Sequence, residues 1–291
     1  MPAATHRPRR SCLYMPGGNA RALEKAQTLP ADTLIFDLED AVLPDAKDAA
    51  RCAVAAAVAA RSYGKREIIV RINGLDTDWV AQDIADIVAA RPDGILLPKV
   101  KSCDDIMQAN TALTAAGADD ALGLWAMIET PAAVLNIADI ASVSATTRLC
   151  GFVMGTNDLG KELRAVSTPD RAAFQTALSL TVAAARSYGL AAIDSVYNDY
   201  QDTAGLEAEC HQGRILGFDG KSLIHPAQLD TANRIFAPDP GEVDAANAII
   251  AAFAKPENQG KGVITVNGKM TELLHLEQAR QLLATAGLTQ A

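Results

Sequence analysis

No apolar run in this 291-residue sequence reaches the roughly 18 to 20 residues that cross a bilayer, so no membrane partner is expected. The basic N-terminus, residues 1–10, leads only into the short apolar stretch 12–15, far too brief for a signal-peptide core, and a cytoplasmic protein is expected. Five cysteines stand far apart with no Cys-x-x-Cys pair, which argues against a disulfide framework or a zinc ribbon and fits a reducing compartment. Positive charge is also scarce. The formal net charge of −9 disfavours nucleic acid, whose phosphates demand a concentrated basic surface. Neither Gly-x-Gly-x-x-Gly nor a Walker loop occurs, and Gly17-Gly18 alone is weak, so nicotinamide and ATP chemistry lack support.

What is present is an ordinary globular composition, 49% apolar and 21% charged, in a length that suits one large α/β domain. Short apolar runs rich in β-branched residues recur at 11–15, 33–38, 67–72, 94–98, 124–128, 149–154, 191–196 and 217–223. Between them lie Ala-rich helical segments with their own punctuation. Ser102 with Asp105 reads as a capping pair, Thr130-Pro131 and Thr168-Pro169 as N-cap plus first-turn proline, and Gly64 and Gly189 as helix stops. Eight strand-helix repeats predict an α/β fold of the (β/α)8 TIM-barrel type, with an open doubly wound sheet as the competitor. After Phe236 the pattern changes. A C-terminal helical extension, residues 237–291, is expected to follow a barrel domain of residues 1–236, with a helix over 242–254, a polar connection, a run at 262–266 and a last helix from about 271.

In such a barrel the site forms where the strands end. The second run ends in Asp37-Leu38-Glu39-Asp40, the third in Arg71-Ile72-Asn73, the fourth in Pro98-Lys99, the fifth in Glu129-Thr130 and the sixth in Gly155-Thr156-Asn157-Asp158. Glu129 and Asp158 follow consecutive strands, so they either share a hard, oxygen-seeking cation or serve as a helix cap and a loop turn. Arg71 offers a two-pronged cation for a substrate carboxylate or oxyanion, or an ion pair with the Asp37 to Asp40 acids, and the two roles are compatible. Glu39 is the acid of that run expected to point inside, and Asp40 the one expected to cap the next turn. Lys47 and Arg51 are read as surface salt-bridge residues, with contact to phosphates as the alternative. Lys99 among acids stays protonated, which suits an electrostatic role better than a Schiff base. His225 is read as structural.

The ordered set Phe36-Asp37-Leu38-Glu39-Asp40, Val70-Arg71-Ile72-Asn73-Gly74, Leu97-Pro98-Lys99, Ile128-Glu129-Thr130-Pro131, Gly155-Thr156-Asn157-Asp158, Ala192-Ile193-Asp194, Gly217 through Lys221, Ile224-His225-Pro226 and Gly268-Lys269-Met270 resembles the citrate lyase beta-subunit family, within the HpcH/HpaI aldolase superfamily and its malyl-CoA and citramalyl-CoA lyases. The resemblance implies a barrel with an extension, a homotrimer or homohexamer, and Mg²⁺ (or Mn²⁺) on Glu129 and Asp158. It implies Arg71 on substrate charge beside Gly155, Thr156, Asn157 and Lys99, with Asp37 and Glu39 as further catalytic carboxylates. Arg10 and Lys47 are the candidates for contact with the CoA thioester. One departure stands out. The family's Asp-Gly-Lys-Met, followed two positions on by a catalytic aspartate given to the neighbouring subunit, here reads Asn267-Gly268-Lys269-Met270-Thr271-Glu272, so Glu272 takes that aspartate's place. The implied reaction is retro-Claisen cleavage of a malyl-, citramalyl- or citryl-CoA-like substrate to acetyl-CoA and a 2-keto acid. Malyl-CoA thioester hydrolysis, a CoA-independent hydroxy-keto-acid aldolase, and a non-catalytic binding protein or carrier-dependent subunit are the alternatives.

Overall fold

Each of the eight apolar runs becomes a strand: β1 (Ser11–Pro16), β2 (Thr33–Asp37), β3 (Glu67–Arg71), β4 (Gly94–Leu97), β5 (Gly123–Ile128), β6 (Leu149–Met154), β7 (Ala191–Asp194) and β8 (Gly220–Leu223). All are parallel and bond in chain order, and β1 also pairs with β8, so the sheet closes into a barrel. The computed structural model describes residues 7–285. It divides into two compact units, one from Arg9 to Arg234 that holds the barrel and one from Ile235 onward. No helix among the described residues is long and apolar enough to cross a membrane.

Alternation along the strands sends Cys12, Ile35, Ile69, Leu96, Trp125, Met127, Val153 and Ile193 into one inner cluster. Trp125 is its largest member and is 1% exposed. It fits because residue 151 is glycine: a Cβ there would stand 2.3 Å from the indole. At the strands' N-terminal end the Arg9 guanidinium lies 4.9 Å from the centre of the Trp125 ring and forks onto Glu67 with two bonds of 2.7 Å. That end of the barrel is filled.

The last two strands are shorter than the sequence suggests, for a polar reason. Asp194 is wholly buried and accepts 2.7 and 2.9 Å bonds from Arg171 Nη1, while its Oδ1 also takes the Ser195 N–H and turns the chain out of the sheet. Lys221, equally buried, donates to Glu209 Oε1 and to the Ser195 carbonyl at 2.6 Å each, completing an ionic network that strand periodicity does not reveal. Residues 217–219 form a helix stop instead of strand, with Gly217 at φ +97° closing the helix Thr203–Leu216. The Ser102–Asp105 capping box and the Thr130 cap form as expected. Thr168-Pro169 does not start a helix; the Thr168 hydroxyl binds Asp170, and the helix proper is Gln175–Ser187.

In the second unit the helix Pro240–Ala254 starts at an Asp239 capping box and packs Ala246 against Ala279 and Leu283 of the helix Leu273–Thr285. Between them runs an antiparallel hairpin, β9 (Val263–Val266) and β10 (Lys269–Glu272). Asn267 and Gly268 hold φ of 49° and 77°, the pair of positive values that a two-residue hairpin turn with matching twist requires. The expected helix from about 271 therefore begins only at Leu273, because Thr271 and Glu272 pair with Ile264 and Val263.

Candidate active site

The register of β2 and β3 places Asp37 beside Arg71, and the side chains complete what the backbone starts. Arg71 Nε and Nη2 grip the two Asp37 oxygens at 2.7 and 2.6 Å. The same carboxylate accepts the N–H groups of Glu39 and Ala41, so Asp37, not Asp40, caps the turn after β2. Asp37 is thus fully occupied as a positioning residue, and Asp40 is exposed, 3.8 Å from Arg71. The third prong, Nη1, stands 2.8 Å from Glu39 Oε2 as an ion pair without hydrogen-bond alignment, and 3.6 Å from Met127 Sδ. Beneath the guanidinium lies the Tyr14 ring, 5.0 Å from Cζ.

After β4 the backbone turns through Lys99 at φ +54°, which aims its N–H at Glu129 Oε1, 2.7 Å away. The Lys99 ammonium then reaches Asp158 Oδ2 at 2.6 Å, Glu129 Oε1 at 3.6 Å and Glu39 Oε1 at 3.8 Å. Carboxylates from three strand ends thus converge on one cation. Glu129 is 0% exposed, and its Oε2 has no hydrogen-bond partner. Glycine is needed beside it: a Cβ on residue 155 would meet Glu129 Cβ at 2.6 Å and Oε2 at 2.8 Å.

These residues fit a divalent ion. Among the described residues no group of three or more His, Cys, Asp or Glu side chains is placed to hold a metal ion, so the protein would supply two ligands at most. A convergent carboxylate pair with one orphaned oxygen is instead the donor set that suits Mg²⁺, which keeps several waters and takes one or two protein carboxylates.

The electrostatics follow burial. Desolvation outweighs Arg71 and lifts Glu39 to about 7, and it pushes Glu129 well above the usual carboxylate range. For Asp158, burial is overridden by the hydrogen bond from Lys99, which holds it below its ordinary value. Burial likewise opposes the charge on Lys99, yet the Asp158 bond and the neighbouring acids push it up to about 12. A folded-state pKa above the unfolded one means that the folded protein binds more protons between about pH 4.5 and 7, so these two acids make stability fall as pH rises through that window. In EDTA the melting temperature should therefore drop from about pH 5 to 7, and Mg²⁺ should offset the drop at the upper end. A metal-free melting temperature that climbs steadily across this range would contradict the buried-acid assignment.

Not every expected residue is here. Arg10 lies before β1, at the opposite end of the barrel, forked onto Asp32 at 2.7 and 2.8 Å, so the expectation that it meets CoA is corrected. Lys47 is corrected too: it is buried, and its ammonium donates 2.7 Å bonds to the carbonyls of Leu38 and Glu39 under the Trp79 ring, fixing the loop that carries Glu39. Arg51 is also buried instead of on the surface, paired with Asp83 and Asp48. Asn157 exchanges amide bonds with Asn198 at 3.1 and 2.8 Å, and with Thr156 it lines a side cavity of about 760 Å³ that none of Arg71, Glu39 or Glu129 lines. His225 caps the Ala227 N–H and stacks on Tyr200, a structural role. Glu272 belongs to the second unit, at the end of β10. Tyr14 and Met127 escaped sequence reading, although their alternation with Cys12 and Trp125 on β1 and β5 marks them as inward-facing.

The family model described as HpcH/HpaI aldolase/citrate lyase matches residues 10–226. A (3S)-malyl-CoA thioesterase of Cereibacter sphaeroides is 51% identical over 96% of this chain and 95% of its own length. The citrate lyase subunit beta of Escherichia coli is 36% identical over 97% and 95%. Among solved structures, CitE of Mycobacterium tuberculosis in complex with magnesium, acetoacetate and coenzyme A superposes with a TM-score of 0.74 at 26% identity, covering 97% of this chain and 98% of that one.

Proposed function

This chain belongs to the HpcH/HpaI aldolase/citrate lyase family, and from that premise we propose that it is a metal-dependent hydrolase of a short 3-hydroxyacyl-CoA thioester of the malyl class. The observation that carries the reading is the convergence of Glu129 and Asp158 on one cation position, beside a carboxyl that titrates near neutrality. The thioester and its hydrolysis are supported by the 51% identical thioesterase.

Glu129 and Asp158 would hold Mg²⁺ or Mn²⁺, which supplies Lewis-acid polarisation of a carbonyl oxygen when bound. Arg71, held by Asp37, directs Nη1 to the substrate's free carboxylate or to the developing oxyanion. Glu39 is suited to proton transfer, because a base with a pKa near the working pH is both available and strong enough. It takes a proton from the attacking water as the oxygen bonds the thioester carbon. As the carbon–sulfur bond breaks, that proton passes to the leaving sulfur, giving free CoA and the hydroxy diacid.

Carbon–carbon cleavage is the second reading, favoured by the 36% identical citrate lyase subunit and by the carboxylate that the hairpin retains at Glu272. There Glu272, offered to a neighbouring copy in a trimer or hexamer, would move the proton, and the products would be acetyl-CoA and a 2-keto acid. Incubating the purified protein with (3S)-malyl-CoA and Mg²⁺ and resolving products by mass spectrometry separates the readings. Free CoA with malate is expected, and it should survive Glu272→Gln. Acetyl-CoA with glyoxylate, lost in Glu272→Gln, would replace hydrolysis by cleavage. Turnover only of CoA-free hydroxy-keto acids would point to an aldolase, and calorimetric binding without any product to a binding protein.

A further inference from the structure

The Lys99 ammonium sits where Glu39, Glu129 and Asp158 converge, at 3.8, 3.6 and 2.6 Å from their oxygens. Those oxygens include both acids assigned to the metal, so a lysine and a divalent ion have claims on the same ground. Two cations a few ångströms apart in a partly dry site repel strongly, and the ammonium already holds Asp158 Oδ2, one of the oxygens a metal would use. One has to leave, and the architecture shows which. Lys99 carries its charge on a flexible four-carbon stem, and its side chain is 30% exposed, so it has solvent to swing into. Its backbone is anchored separately, through the N–H bond to Glu129 Oε1. The side chain can therefore depart without disturbing Glu129.

We propose that Lys99 is a displaceable internal counter-ion of the metal site: its ammonium neutralises the converging carboxylates, must be expelled for a divalent cation to enter, and thereby weakens and makes reversible the protein's hold on metal. This deepens the metal reading given above and rests on it. The positive φ of Lys99 fits the same purpose, since it points the N–H at Glu129 and the side chain across the site from a single residue.

The test is calorimetric titration of metal-free protein with Mg²⁺ or Mn²⁺ in the absence of substrate. Lys99→Met should bind the ion roughly tenfold or more tightly than the wild type, and its metal-free form should melt at a lower temperature. Lys99→Arg, which keeps a cation, should stay near the wild-type affinity. Unchanged or weaker binding in a natively folded Lys99→Met would overturn the proposal. Should that variant not fold, the wild type answers the question: acetylation of Lys99, followed by peptide mass spectrometry, should speed up several-fold when Mg²⁺ is added, whereas unchanged or slower labelling counts against displacement. Glu129→Gln in the same titration tells the two ideas apart, because wild-type affinity in that variant would remove the metal site itself, whatever Lys99 does.

Discussion

Glu129→Gln is expected to lower metal-dependent turnover by at least about a thousandfold and to abolish calorimetric Mg²⁺ binding, with the fold unchanged. The substitution keeps the shape of a side chain that is 0% exposed, and the amide oxygen can still accept the Lys99 N–H that Oε1 now accepts at 2.7 Å. It removes one anionic ligand and the orphaned oxygen Oε2. Stability should not suffer. Ionising Glu129 in this buried position is unfavourable, as its raised pKa records, so the neutral isostere should melt no lower than the wild type at pH 8 in EDTA. Retention of more than about a tenth of wild-type turnover by a well-folded Glu129→Gln would remove Glu129 from the ligand set.

Arg71→Met should cost both stability and activity, and the stability loss should be the largest of any single change at the site. Arg71 is 7% exposed and satisfies both Asp37 oxygens while pairing with Glu39. Its removal strands two buried acids, and breaking a buried pair from one side typically costs about 3–5 kcal/mol. The loop after β2 should loosen with it, because Asp37 also caps Glu39 and Ala41. Urea unfolding measures the loss, and protonation of Glu39, which burial already favours and Arg71 would no longer oppose, should recover part of it near pH 5. A loss below about 1 kcal/mol would mean that Asp37 and Glu39 find other partners.

The sequence made most of this architecture legible because the barrel repeats one physical unit eight times. An apolar run of four to six residues is conspicuous at every strand from β1 to β6, with a polar group at its end from β2 onward, and those runs match the strands to within a residue at each end. It was less legible at β7 and β8, where Asp194 and Lys221 are buried charges that no apolar pattern announces. Caps were readable where side chain and backbone act locally, as at Ser102 and Thr130, and misleading at Thr168, where Asp170 competes for the hydroxyl.

Within the site, strand ends told which residues meet: Glu39, Arg71, Lys99, Glu129 and Asp158 are within contact of one another's charges. Strand ends could not tell which acid would be taken up by the backbone, so Asp37 holds the capping role expected of Asp40, which is left exposed. Nor could they tell that Lys47 turns inward. Its long stem reaches the Leu38 and Glu39 carbonyls, which come within its range only after the loop has folded. Arg10 misled for the simplest reason: it precedes a strand, and in a parallel barrel everything that precedes a strand lies at the far end.

The Trp125 plug, seated in the hollow left by Gly151 and closed from behind by Arg9 and Glu67, makes the barrel a cul-de-sac. The turnover proposed above would then have only the strands' C-terminal rim to work through, so substrate would arrive and both fragments would depart on that one side, and a product that lingers there would compete with the next substrate molecule.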